Sequence, residues 1–246
     1  MTQGNSFFSR IPTITKNLII INFIVWLATM VLSSRVGFDI EKFGALHYFE
    51  ASDFNPVQLI TYMFMHADFT HFFFNMFALF MFGTTIERTL GQTRFLFYYI
   101  SCGLGAAIIQ EITWYFTWES IFTMPLANQN AISLEEMSQA ITQAQAMGLD
   151  LPFLNQLLTV GASGAVYGIL LAFGMIFPNQ PIYMMFIPVP IKAKYFVIGY
   201  GAIELLYGLS MANDGVAHFA HLGGMLFGLL MILYWKRKGI INGNYF

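Results

Sequence analysis

Residues 18–32 read LIIINFIVWLATMVL, fifteen positions with one strongly polar side chain, Asn22, and no charge. A run of that kind lacks the period-two alternation of a barrel strand, so it predicts a continuous apolar helix. Five further blocks share its character, giving expected helices near 17–34, 69–86, 94–116, 161–177, 194–211 and 216–235. A helix needs about 20 residues to cross the hydrocarbon, and the fourth block is short of that. It therefore starts inside a protein-lined cavity or sits where the bilayer thins.

Composition agrees, since 57% of the 246 residues are hydrophobic and 10% are charged. Apolar blocks recur along the chain, so a cleaved leader does not explain them. The expected class is an all-α, polytopic membrane protein of six helices forming one domain over 1–246, with the lipid bilayer as its surroundings and no nucleic acid as partner. Cys102 is the only cysteine, so no intrachain disulfide forms and packing is its expected role.

With a cytoplasmic amino terminus, Arg10, Lys16, Arg88, Arg94, Lys192, Lys194, Lys236, Arg237 and Lys238 fall inside and only Arg35 and Lys42 outside. Basic residues set orientation, so both termini are expected in the cytoplasm. Two outer segments stand out. That from about 36 to 66 carries Phe54, Leu59, Tyr62 and Met63 and is expected to hug the membrane interface. That from about 117 to 155 is the most polar stretch, with Ser133 and Glu136 spaced as a capping box ahead of a surface helix ending near Gly148. It reads as an exposed insertion.

Gly161, Ala162, Ser163 and Gly164 open the fourth block, where unpaired backbone amides can hold an oxyanion beside an uncrowded hydroxyl. Small residues also make packing strips, so the tetrapeptide alone does not decide. In the sixth block His218 and His221 precede Gly223, Gly224 and Gly228, and histidine in an apolar helix needs a partner. At 100° per residue His221, Gly224 and Gly228 lie within about 60° of one another, and Ser163, Gly164, Tyr167 and Gly168 span about 140°. Glycine facing glycine brings Ser163 and His221 within reach as nucleophile and base, with Tyr167 packing on the imidazole. His71 and Asn75 share one face of the second block, either as oxyanion donors or as interhelical glue.

His66, His71, His218 and His221 are enough imidazoles for a zinc ion, but their spacing fits no zinc helix motif, so no metal or other cofactor is expected. Of the two carboxylates at apparent membrane depth, Glu111 and Glu204, neither is placed to orient His221. A Ser163/His221 dyad is the simpler reading, with Glu204 well below the serine in a structural role.

These residues resemble the rhomboid family of intramembrane serine proteases, whose Gly-x-Ser-Gly motif matches Gly161 to Gly164. The family's His-x-x-x-Asn motif matches His71 and Asn75, and Ala217 to Gly224 resembles its histidine-bearing sixth helix. The similarity runs over about 15–235. It implies Ser163 as nucleophile, His221 as base and then acid, His71 and Asn75 on the oxyanion, and Tyr167 as support. It also implies transmembrane protein substrates, with a bacterial inner membrane as the expected setting. Glu87 and Arg88 look like a structural pair of the family on the cytoplasmic side. The stretch 117–155 is longer than a minimal bacterial rhomboid needs. A catalytically silent rhomboid-like chaperone or adaptor is the alternative, and it would not need both Ser163 and His221.

Overall fold

The computed structural model describes residues 10–37, 39–184, 187–210 and 216–241; the terminal residues whose side of the membrane is inferred above lie outside that set. Helices dominate. In chain order they are α1 (Thr13–Val36), α2 (Ile40–Gly44), α3 (Gln58–Thr61), α4 (Phe69–Ala78), α5 (Thr84–Leu90), α6 (Gln92–Asn130), α7 (Leu134–Ala146), α8 (Ser163–Ile176), α9 (Ala193–Leu209) and α10 (His218–Arg237). Among the described residues, helical runs at 13–35, 69–90, 92–130 and 218–237 are long and apolar enough to cross a membrane, while α8 is apolar but shorter. Ile20, Phe23, Ile24 and Leu27 of α1 and Ile198, Leu205 and Leu206 of α9 are exposed. Apolar side chains presented outward in such numbers suit lipid.

The all-α expectation needs correcting at two places. Short strands β1 (Leu46–His47) and β2 (Leu158–Thr159) pair antiparallel, as do β3 (Pro181–Met184) and β4 (Ile187–Lys192). Residues 187–191 read IPVPI, where alternating prolines exclude a helix and suit an edge strand. The β1–β2 pair matters more for the site. It ties the segment 36–66 to the residues just ahead of Ser163, reinforced by Tyr48 N–H donating to Leu157 O at 3.0 Å and Gly161 N–H to Tyr62 O at 2.9 Å.

Two of the aromatic and apolar side chains of that segment pack into the bundle. Tyr62 and Met63 are buried, and the Tyr62 hydroxyl donates to Gly103 O of α6 at 2.7 Å. Gly103 is what admits them, since a Cβ there would stand 2.1 Å from Met63 Cε.

The third apolar block does not stop at residue 116. As one helix of 39 residues, α6 would be about 58 Å long at 1.5 Å per residue, roughly twice the hydrocarbon thickness. Its C-terminal part, with Trp118 and Phe122 buried, carries α7 back against it, and Phe153 packs on both rings at 6.4 and 4.9 Å. The stretch 117–155 is thus largely a helical hairpin with its own apolar seam. α7 opens with the Ser133–Glu136 capping box, in which each side chain reaches the other's backbone N–H. The second block is also interrupted, passing through a π-helical turn at Leu79–Gly83 between α4 and α5.

At the opposite end, Glu87 of α5 is buried and accepts from the backbone N–H groups of Ile14 and Thr15 at 2.9 and 2.7 Å. These are amides that the first turn of α1 leaves unpaired, so a carboxylate from another helix caps it. Arg88 donates to Arg10 O at 2.6 Å. Glu87→Ala removes two charge-assisted hydrogen bonds and is expected to cost about 2–4 kcal/mol, read as a lower thermal midpoint in detergent. An unchanged midpoint would show that the cap contributes little.

Candidate active site

α10 packs along both α6 and α8. Its glycines permit it: a Cβ on Gly224 would stand 1.9 Å from Gly164 O, and one on Gly223 2.9 Å from Gly105 O. Gly228 faces α6 instead of α8, since its Cβ would meet Tyr98 Oη at 2.3 Å. α8 and α10 therefore approach closely one turn below His221, at Gly164 and Gly224. Lys236 donates to Met175 O at 2.9 Å, which puts the C-terminal ends of α8 and α10 together. Ser163 and His221, near the two starts, consequently share the other end.

There Ser163 Oγ lies 2.8 Å from His221 Nε2. The Tyr167 ring stacks on the His221 imidazole with centroids 4.2 Å apart and planes 6° from parallel. His221 is buried and Ser163 half-buried. Ser163 is the first residue of α8, and Val166 N–H is the first to bond back, to Ala162 O at 3.0 Å. The amides of the opening turn have no partner within the helix.

Gly161 has φ +129°, a conformation that side chains rarely adopt, and a Cβ there would meet His71 Nε2 at 2.7 Å. His71 of α4 is thus against the loop that presents Ser163. Asn75, buried, donates its amide to His71 O at 2.9 Å, one turn back along the same helix. His66 sits edge-on to His71 with centroids 5.2 Å apart. Both its ring nitrogens are buried without a hydrogen-bond partner among the described residues. Burial, with His71 beside it, lowers its pKa to about 4, so it stays neutral near pH 7.

Glu204 departs from the sequence reading. Instead of lying well below the serine, its Oε2 stands 3.0 Å from His221 Nδ1 and 2.6 Å from His218 Nδ1, within hydrogen-bond distance of both, while Oε1 accepts from the Tyr167 hydroxyl. The reason is where the helices end. α9 stops at Leu209, so Glu204 is about 7.5 Å from its C-terminal end, and His221 is about 4.5 Å into α10. A glutamate side chain spans that difference. The sequence carried one signal for it: a carboxylate in an apolar helix needs donors, and the next helix begins with two histidines.

The four histidines do not converge. Glu204, His218 and His221 do, with ligand atoms all within 4.8 Å of one another, a spacing that a metal ion or direct hydrogen bonds can satisfy. Glu111, the other carboxylate at depth, accepts from Phe49 N–H at 3.0 Å, away from the site.

A family model described as Rhomboid domain matches residues 53–238. The chain is 28% identical over 197 residues to RHOMBOID-like protein 12, mitochondrial, of Arabidopsis thaliana, covering 79% of this chain and 48% of that one. It is 28% identical over 175 residues to Rhomboid protease AarA of Providencia stuartii, covering 69% and 52%. With Putative rhomboid protease YdcA of Bacillus subtilis it shares 28% identity over 183 residues, covering 74% and 68%. The chain spans about half the length of most of the curated relatives it matches. Their names include mitochondrial and chloroplastic proteins as well as bacterial ones, so the relatives give the bacterial inner membrane no particular support.

Proposed function

We propose, for a chain that belongs to the rhomboid family, the activity of an intramembrane serine endopeptidase acting on transmembrane segments of protein substrates. The observation that carries the proposal is the 2.8 Å contact between Ser163 Oγ and His221 Nε2. Ser163 attacks the scissile carbonyl carbon as its proton passes to His221 Nε2, and the carbonyl oxygen becomes an oxyanion. The C–N bond then breaks, and His221 returns the proton to the leaving amine. Water then adds to the acyl-serine as its proton passes to His221 Nε2, the bond from Ser163 Oγ to the acyl carbon breaks, and His221 returns that proton to Oγ, releasing the new carboxyl terminus.

The oxyanion is received by the opening amides of α8 with His71 and Asn75, and Gly161 keeps the approach to His71 clear. The bundle is read as one membrane domain with six crossings, formed by α1, α4 with α5, α6, α8, α9 and α10. Because helical carbonyls are shielded, cleavage is expected near helix-weakening Gly, Pro or other small residues. A silent helix-binding adaptor has no use for a serine and a histidine in hydrogen-bond contact.

Cleavage of a transmembrane substrate by purified protein is expected to persist in EDTA and to disappear in Ser163→Ala. Loss in EDTA with recovery on adding zinc would overturn the serine mechanism and assign Glu204, His218 and His221 to a metal.

A further inference from the structure

We infer that Glu204 is a positioning residue: its carboxylate holds His221 as the Nδ1–H tautomer, so that Nε2 presents a lone pair to Ser163. The inference rests on the serine mechanism proposed above and adds a third, orienting residue to the dyad, with His218 and Tyr167 holding the carboxylate in place. Burying an acid in a helix that faces lipid is costly unless donors surround it. α9 is such a helix, burying only Ala193, Val197 and Glu204 among its described residues.

Anchoring α9 would need no contact with His221. Tyr167 Oη and His218 Nδ1 already give each carboxylate oxygen a donor. The third contact, from His221 Nδ1 at 3.0 Å, is the one that acts on the reaction. Imidazole has two nitrogens and, when neutral, one proton. With that proton donated to Glu204, Nε2 can accept from the Ser163 hydroxyl at 2.8 Å. In the other tautomer Nε2 carries the proton and cannot act as base. The stacked Tyr167 ring fixes the imidazole plane, and Glu204 fixes which way the proton lies within it. Once His221 is protonated, the adjacent carboxylate also faces the imidazolium.

The test measures kcat and KM for Ser163→Ala, Glu204→Gln, Glu204→Ala and Glu204→Asp, each checked for helicity and thermal midpoint. Glutamine can offer an amide N–H to Nδ1 and so favour the wrong tautomer. Folded Glu204→Gln is expected to lose at least about 100-fold in kcat with KM within about 3-fold, and Glu204→Asp to recover part of that loss. Wild-type protein supplies a reading independent of variant folding: ¹⁵N-histidine NMR is expected to show His221 protonated at Nδ1 and unprotonated at Nε2 in its neutral form.

If folded Glu204→Gln and Glu204→Ala keep kcat within about 3-fold of wild type while Ser163→Ala is inactive, the positioning role is wrong and the serine mechanism stands. A neutral His221 protonated at Nε2 has the same consequence. An active Ser163→Ala removes both. Zinc-dependent activity would do so as well.

Discussion

His221→Ala is expected to abolish cleavage, lowering kcat by at least about 10³-fold while the protein stays folded. The imidazole is the group within hydrogen-bond reach of Ser163 Oγ on its Nε2 side, and alanine leaves the hydroxyl proton with nowhere to go. The Gly164–Gly224 contact and the contacts of Glu204 with Tyr167 and His218 do not involve the imidazole, so helicity should be unchanged and the thermal midpoint should fall only modestly with the loss of the Tyr167 stack. His218→Ala is the contrasting variant. His218 lies 2.6 Å from Glu204 Oε2 and edge-on to the His221 ring with centroids 6.4 Å apart, and its loss leaves that carboxylate its contacts with Tyr167 and His221. A measurable though reduced turnover is expected. Side-by-side kinetics of the two purified variants on one substrate checks the assignment. An inactive His218→Ala beside an active His221→Ala would reverse the roles of the two histidines.

Gly224→Ala should be nearly as damaging, through geometry instead of chemistry. Its Cβ would lie 1.9 Å from Gly164 O and 3.1 Å from Gly164 Cα, and these are backbone atoms that cannot rotate aside. α8 and α10 must separate. Overpacking of this kind costs about 1–3 kcal/mol or more, and a 1 Å misplacement of reacting groups is worth about 10²-fold in rate. Turnover is therefore expected to fall by about 100-fold or more, with a lower thermal midpoint. Gly199→Ala provides the comparison, because its Cβ would meet nothing within 4 Å on the exposed side of α9. There the change should raise helix stability by about 0.5–1 kcal/mol and leave turnover alone. Normal activity in Gly224→Ala would mean that the helices tolerate wider spacing than the contact implies.

What the sequence disclosed followed from how local each feature is. Apolar runs and a capping box are written in consecutive residues, so α1 and the start of α7 could be read directly. The glycine faces of α8 and α10 were legible from helical periodicity down to the meeting of Gly164 with Gly224. A helical wheel gives angle without depth, so it places Gly228 with Gly224 on the face toward α8, whereas at its level α10 leans on Tyr98 of α6. The length of α6 was hidden because polarity marks exposure to water and not the end of a helix: Trp118 and Phe122 keep an apolar stripe through a polar stretch. β1 and β2 are two residues each and lie more than a hundred positions apart, a pairing that no local pattern encodes. Glu204 was misplaced by the same difficulty in depth. A boundary at residue 211 instead of Leu209 moves a side chain only about 3 Å, yet that contributed to placing it away from the histidines it touches.

The central claim is that Ser163 is a nucleophile activated by His221. Its most direct measurement is incubation of purified wild-type and His221→Ala protein with a fluorophosphonate probe, followed by mass-spectrometric mapping of the modified residue. The account predicts a phosphonyl adduct on Ser163 in wild type and none at that position in His221→Ala. An adduct at another residue, or equal labelling of Ser163 in both proteins, would contradict it.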